Sequence, residues 1–242
     1  PILTNMGVKL VVGLQPELLA LARRSCPDIH FISQGDMIPK FDVTMPMLSI
    51  GRKLSLDLDN IPAPEKYLVA DPEQVEKWKR RIEGDGPGLR VGLAWAGSPK
   101  HKRDRYRSCK LVDYAPLARV PGVRFYSLQK GAASGQIANP PPGVSLIDYT
   151  ADLNSMDDTA AMISHLDLLI TVDTSVAHLA GALGKPVLML LPMIPDWRWL
   201  MNRPDTPWYP TLQLFRSTEL HNWIPVTERV ADKLAEFAKA RG

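Results

Sequence analysis

Two short segments of this 242-residue chain bring together residue types that could hold a negatively charged ligand. In Asp167–Leu191 (DLLITVDTSVAHLAGALGKPVLMLL) an apolar run ends at Asp173, and Thr174 and Ser175 open a stretch rich in Ala and Gly. A buried strand that turns here directly into a helix leaves the first N–H groups, at Thr174, Ser175 and Val176, without intrahelical partners. With the hydroxyls of Thr174 and Ser175 beside them, such groups suit a diphosphate. Any helix start also allows the plainer alternative, in which Asp173 or Thr174 caps the helix and His178 is an ordinary half-buried imidazole. In Val91–Ser108 (VGLAWAGSPKHKRDRYRS) a second strand runs out at Gly97 and Ser98 into a basic loop. There and just beyond, Lys100, Lys102, Arg103, Arg105, Arg107 and Lys110 face one acid, Asp104, in a chain whose net charge is only +3. The positive charge is therefore local. Arg107, followed by Ser108, is the expected phosphate contact, and most of the other cations are expected to be solvated surface. If the two strand ends lie side by side, helix-start donors and a guanidinium grip one pyrophosphate.

Other chemistries find no support. There is no G-x-x-x-x-G-K-[ST] phosphate loop and no G-x-G-x-x-G after a strand, and Ala96-Gly97-Ser98-Pro99 lacks the G-x-S-x-G nucleophile elbow. His30, His101, His165, His178 and His221 show no metal-binding spacing, so no protein-held metal and no resident cofactor are expected. Cys26 and Cys109 form no C-x-x-C pair, which suits a reducing, cytoplasmic setting. No apolar run reaches membrane-spanning length. Tyr106 alone interleaves the basic loop with an aromatic ring, which argues against nucleic acid as a partner. A third segment, Asp196–Tyr209 (DWRWLMNRPDTPWY), offers Trp197, Trp199 and Trp208 for stacking on a sugar or base, or as a cover for the sheet end. Asp196, Trp197 and Arg198 are candidates for the wall of the same cleft.

The elements that must position these residues alternate. Strands are predicted at Lys9–Leu14, His30–Ser33, Asp42–Met45, Arg90–Ala96, Arg124–Gln129, Ser145–Tyr149, Asp167–Val172, Pro186–Leu191 and Thr211–Phe215. Helices are predicted at Pro16–Ser25, Pro72–Ile82, Val112–Leu117, Asp157–Leu166, Ser175–Leu183 and Val226–Lys239, with a helix end at Pro1–Met6. Apolar strands separated by helices imply an α/β fold with parallel sheets covered on both faces. The Gly84–Gly88 segment (GDGPG) is the expected linker. It divides the chain into a partial N-terminal Rossmann-like domain, 1–85, and a ligand-binding Rossmann-like domain, 86–225. The N-terminal layer lacks an opening strand, so the chain is expected to be a fragment or to lack a disordered piece.

DTSVAHLAGALGKPV, from Asp173, resembles the D-T-x-x-x-H-L-A-x-A-L-G-K-P signature of heptosyltransferase-like (family 9) glycosyltransferases. The strings GLAWAGSPKHKRDRYRS, FYSLQKG, DDTAAMISHLDLLITVDTSVAHLAGALGKP and LLPMIPDWRWLMNRPDTPWYPTLQLFR are similar to bacterial proteins that place this domain behind tetratricopeptide repeats. The resemblance implies a GT-B architecture of two facing Rossmann-like domains, with a nucleotide-sugar donor in the C-terminal one and transfer without a metal. It further implies that segment 226–242 crosses back to the first domain. Onto this chain it carries Asp173, Thr174, Ser175, Val176 and His178 as the donor motif, with Arg107, Ser98 and Ser108 near the donor phosphate. Gln129 falls near the base or ribose and Asp158 near the nucleoside, where capping of its own helix is the competing role. Ser175 stands where many heptosyltransferases have glycine. The catalytic base is expected upstream of Pro1, and the acceptor is a glycan, lipid or protein. A non-catalytic GT-B module and a sugar-nucleotide epimerase are the alternatives, the first lacking turnover and the second needing no acceptor.

Overall fold

A computed structural model describes residues 2–241. Pro1, in the expected helix end, and Gly242, in the expected terminal segment, lie outside them. The helices are α1 (Ile2–Asn5), α2 (Leu19–Ser25), α3 (Ile50–Lys53), α4 (Pro72–Glu83), α5 (Asp104–Arg107), α6 (Met156–Ser164), α7 (Ser175–Ala182) and α8 (Ile224–Arg241). The strands are β1 (Val11–Gly13), β2 (His30–Ile32), β3 (Leu89–Ala94), β4 (Val123–Ser127), β5 (Leu146–Asp148), β6 (Leu168–Val172), β7 (Val187–Leu191) and β8 (Leu212–Arg216). Strands β1 and β2 pair in parallel by themselves. The other six form one parallel sheet in the order β5-β4-β3-β6-β7-β8. That is the doubly wound order, in which the chain starts at the centre, winds to one edge and then returns to wind to the other. Its reversal point lies between β3 and β6, which pair from Val91–Leu168 to Ala94–Thr171.

Alternation along the strands builds two cores. Leu169, Val187, Met189 and Leu191 face one side with α4, α6 and α7, whereas Leu168, Ile170, Val172, Leu188 and Leu190 face the other with α8 and the 3₁₀ helix Leu111–Arg119. Every residue of β6 and β7 is buried, as the centre of a parallel sheet requires.

Four expectations change. Residues 42–45 form no strand; the segment runs into Pro46, and Val43 is 82% exposed with no sheet edge to join. The helix expected at Val112–Leu117 is a 3₁₀ helix, Leu111–Arg119, which contains Pro116 and so loses an interior N–H donor. Helix α4 belongs to the C-terminal core, not to an N-terminal layer ending at residue 85. Its apolar face, with Trp78 and Ile82 buried, packs on α6. The Gly84–Gly88 turn is likewise anchored to that core, because Asp85 accepts from the hydroxyls of Tyr126 and Tyr149. Finally, α8 does not turn towards the N-terminal elements. It lies against the 3₁₀ helix Leu111–Arg119, β7 and β8, with Val226, Val230, Ala231 and Leu234 buried in the second core.

Between the two layers, Arg24 of α2 reaches both Asp71, the N-cap of α4, and Asp157 in the first turn of α6. The backbone N–H groups of Tyr67 and Leu68 donate to the Ala182 carbonyl at the end of α7.

Replacing fully buried Ile82 with Ala should cost about 2–5 kcal/mol, because the cavity opens inside the core shared with the six-stranded sheet. Urea unfolding of Ile82→Ala measures it; an unchanged midpoint would place α4 outside that core.

Candidate functional site

Strand pairing alone brings the two chemical segments together. Because β3 and β6 are parallel neighbours, both strands leave the sheet at the same edge, and at its reversal point. After β3, Trp95 and Ala96 lead to Gly97; after β6, Asp173 and Thr174 lead into α7. A cleft of about 140 Å³ opens there. Arg103, Arg107, Asp173, Asp196 and Arg198 supply its charged groups, His101 and His178 its imidazoles, and Pro192 and Ile194 part of its apolar wall.

The start of α7 is chemically unlike those of its neighbours. Asp71 caps α4 by accepting from the N–H groups of Glu73 and Gln74, and Ser155 and Asp158 close a reciprocal box at the start of α6. Thr174 makes no such bond: its hydroxyl lies 3.3 Å from that of Thr171. Among the described residues, neither Ser175 N–H nor Val176 N–H finds a protein acceptor. These free donors carry the positive end of the helix dipole, worth about half an elementary charge.

Arg107 is held on the other side. Its Nε donates to Asp104 at 3.3 Å, and the Ser108 hydroxyl also donates to Asp104 while accepting from Gly97 N–H at 2.9 Å. The guanidinium lies directly over Gly97, where a Cβ would come within 2.4 Å of Nη2. A side chain at position 97 would push the guanidinium out of that seat. Arg103 crosses the cleft mouth, donating to the Ile194 carbonyl at 3.1 Å.

The third wall comes from the turn after β7. Asp196 accepts from both the backbone N–H and the guanidinium of Arg198, the latter at 2.8 Å. Burial works against the Asp196 anion, but those two bonds together with the positive charges of Arg198 and Arg103 outweigh it and hold the carboxyl below its usual range. The His178 ring stacks on Trp199 at 5.2 Å, with its Nδ1 3.0 Å from the Tyr209 hydroxyl and its Nε2 3.8 Å from Asp173. Burial pushes His178 below the ordinary imidazole range; Asp173 and Asp196 pull it back, and Arg198 and Arg107 add to the lowering.

Of the residues expected from sequence, Arg107, Asp173, His178, Asp196 and Arg198 line this one cleft. Thr174, Ser175 and Val176 form the turn next to it, and Ser98 is exposed on the loop above. Gln129 corrects the expectation of a base or ribose contact. It is 3% exposed, its Oε1 accepts from Trp95 and Ala96 N–H, and its Nε2 donates to the Ala96 and Lys130 carbonyls. With both amide atoms committed, it clamps the exit of β3. Ser108 is also corrected: its hydroxyl braces Gly97 and Asp104 and does not line the cleft. Asp158 caps α6, the competing role given to it above. Trp199 is fully buried beneath His178 and presents no free face, whereas Trp197 is 62% exposed under the Arg198 guanidinium. Sequence reasoning missed Tyr209, the brace role of Asp104, and Arg103 as a lining residue. Only the wall of a folded cleft distinguishes Arg103 from the lysines around it. Among the described residues there is no group of three or more His, Cys, Asp or Glu able to hold a metal, and no helix long and apolar enough to cross a membrane.

Residues 153–193, which carry α6, β6, α7 and β7, match the family model for glycosyltransferase family 9 (heptosyltransferase). The protein FlbA of Caulobacter vibrioides is 36% identical over 185 residues, 73% of this chain; the match spans 30% of FlbA. E. coli ADP-heptose LPS heptosyltransferase II superposes with a TM-score of 0.53 at 16% identity, over 76% of this chain and 57% of its own. TibC of enterotoxigenic E. coli, a dodecameric iron-containing heptosyltransferase in complex with ADP-D-β-D-heptose, gives 0.54 at 11% identity, over 99% and 69%. The fold is thus α/β with parallel sheets, matching GT-B-like glycosyltransferase structures.

His178 and His165 both sit below the usual imidazole value of 6.5, each chiefly through burial. Well above pH 6.5 both are neutral whether the chain is folded or not. As the pH falls below 6.5, the unfolded chain takes up protons that the folded chain resists, so stability drops. Melting temperature should fall through that window, and less steeply in His178→Gln. An equal slope in the variant would show that His178 carries none of the effect.

Proposed function

We propose that this chain is the donor-binding part of a family 9 glycosyltransferase, taking a sugar from a nucleotide-diphosphate sugar and passing it to an acceptor hydroxyl. The observation that carries this reading is the reversal-point cleft itself, with the Arg107 guanidinium in its wall and the uncapped N–H groups of α7 in the turn beside it. Two negative charges on a diphosphate match that pairing, and the complex of TibC with ADP-D-β-D-heptose gives the ligand class in a protein of like fold.

In the transfer, the bond between the anomeric carbon and the diphosphate oxygen breaks and the diphosphate leaves with the electron pair. The acceptor hydroxyl forms the new bond as its proton passes to a base. Charge therefore grows on the diphosphate in the transition state, and donors already aimed there stabilise it most. Arg107 is pre-oriented by Asp104, leaving its terminal nitrogens for the ligand. Arg198 adds a cation from the third wall. In this reading charge neutralisation rests on amides and guanidinium groups, no resident cofactor takes part, and the nucleotide sugar is a substrate. The tetratricopeptide repeats implied by resemblance, and a cytoplasmic setting, belong to the same proposal.

Calorimetry with ADP, GDP and UDP tests it. At least one should bind, and Arg107→Ala should weaken that binding roughly 10- to 100-fold, the loss expected for hydrogen bonds to a charged group. Lys100→Ala, on the exposed loop, should stay within about twofold, because an exposed charge acts only as a screened field. A folded protein giving neither heat nor a melting shift at saturating nucleotide would contradict the reading.

A further inference from the structure

His178 faces the cleft with one nitrogen and the protein interior with the other, so which nitrogen carries the proton decides what the cleft receives. Its Nδ1 lies 3.0 Å from the Tyr209 hydroxyl, and its Nε2, beside Asp173 at 3.8 Å, belongs to the cleft side. A carboxylate beside Nε2 favours a proton on that nitrogen, and a hydroxyl beside Nδ1 then donates to the bare lone pair.

The Tyr209 ring is fixed in place. It fills the space over Gly181 of α7, where a Cβ would come within 2.6 Å of two ring carbons. Tyr209 is only 8% exposed, with the Tyr67 phenol as a neighbour. Tyr67 comes from the strap whose backbone N–H donates to the Ala182 carbonyl at the end of the same helix. Burial pushes both phenols above their ordinary range, so both stay protonated donors.

We infer that Tyr209 is a positioning residue: seated over Gly181, it fixes His178 as the neutral Nε2–H tautomer, so that an imidazole N–H donor points into the cleft. This rests on the proposed function only for the identity of the ligand, a phosphate oxygen of the nucleotide. The opposite arrangement, Nδ1–H donating to Tyr209, leaves a bare Nε2 in the cleft and makes His178 an acceptor. The two differ in what His178 can do to an anion: the first attracts it and the second repels it.

Nitrogen NMR of the protein labelled with ¹⁵N-histidine separates them without any ligand, His178→Gln assigning the signal. The expected result is a protonated Nε2 and an unprotonated Nδ1. Tyr209→Phe keeps the ring over Gly181 and removes only the hydroxyl. Losing a donor to Nδ1 destabilises the neutral ring, so His178 should titrate about one pH unit higher, a tenfold gain in proton affinity. Asp173, Asp196, Arg198 and Arg107, the charged groups acting on the ring, are unchanged in that variant. A protonated Nδ1 in the parent protein, or an unmoved midpoint in folded Tyr209→Phe, would overturn the inference. Binding of ADP to the parent and to Tyr209→Phe reads the consequence, about a fivefold loss. Failure of ADP, GDP and UDP alike to bind the parent would count against the nucleotide-sugar reading, while the tautomer and the titration would still decide the role of Tyr209.

Discussion

The parallel pairing of β3 with β6 is the constraint on which the rest of the site depends. Neither segment is a site by itself: the basic loop after β3 is a charged surface, and α7 is a short helix with an open start. Their pairing in register from Val91–Leu168 to Ala94–Thr171 makes both chain reversals leave the sheet at one edge. The doubly wound order then guarantees a crevice, because neighbouring connections turn to opposite faces at this point. Burial of every residue in β6 and β7 places this edge at the centre of the sheet, with apolar core on both faces.

Around the crevice, small residues, hydrogen bonds and ion pairs set the direction of the charged groups. Gly97 makes the seat for Arg107, Asp104 and Ser108 brace it, and Gln129 locks the backbone that carries Gly97. On the far wall Asp196 orients Arg198. These cations have given up rotamer freedom before any ligand arrives, so a bound anion meets donors that need little reorganisation. Each neighbouring carboxylate engages one edge of its guanidinium and leaves other N–H donors open.

Much of this was legible in the sequence because it follows from local rules. The apolar runs DLLITV and PVLMLL are the two central strands, and the turn at Asp173 into a Gly- and Ala-rich helix is where α7 begins. Helix α7 gives way at Gly184, whose positive φ suits the end of a helix. What failed to read through depends on distant contacts. Gln129 looked like a cleft residue from its place at a strand end, but backbone amides 33 and 34 residues away consume its side chain. The amphipathic pattern of α8 shows that it packs, though not on which surface. Arg103 and Lys102 are adjacent cations with the same local signature, and only the approach of Ile194 sets one of them apart. Tyr209 gave no signal either, since its partners Gly181 and His178 lie 28 and 31 residues away.

A crystal structure of the protein with ADP bound tests the central claim most directly. The account predicts the diphosphate at the β3–β6 reversal, its oxygens within hydrogen-bond distance of the Ser175 and Val176 amides and of the Arg107 guanidinium. Nucleotide bound elsewhere on the sheet, with the start of α7 still facing solvent, would contradict it.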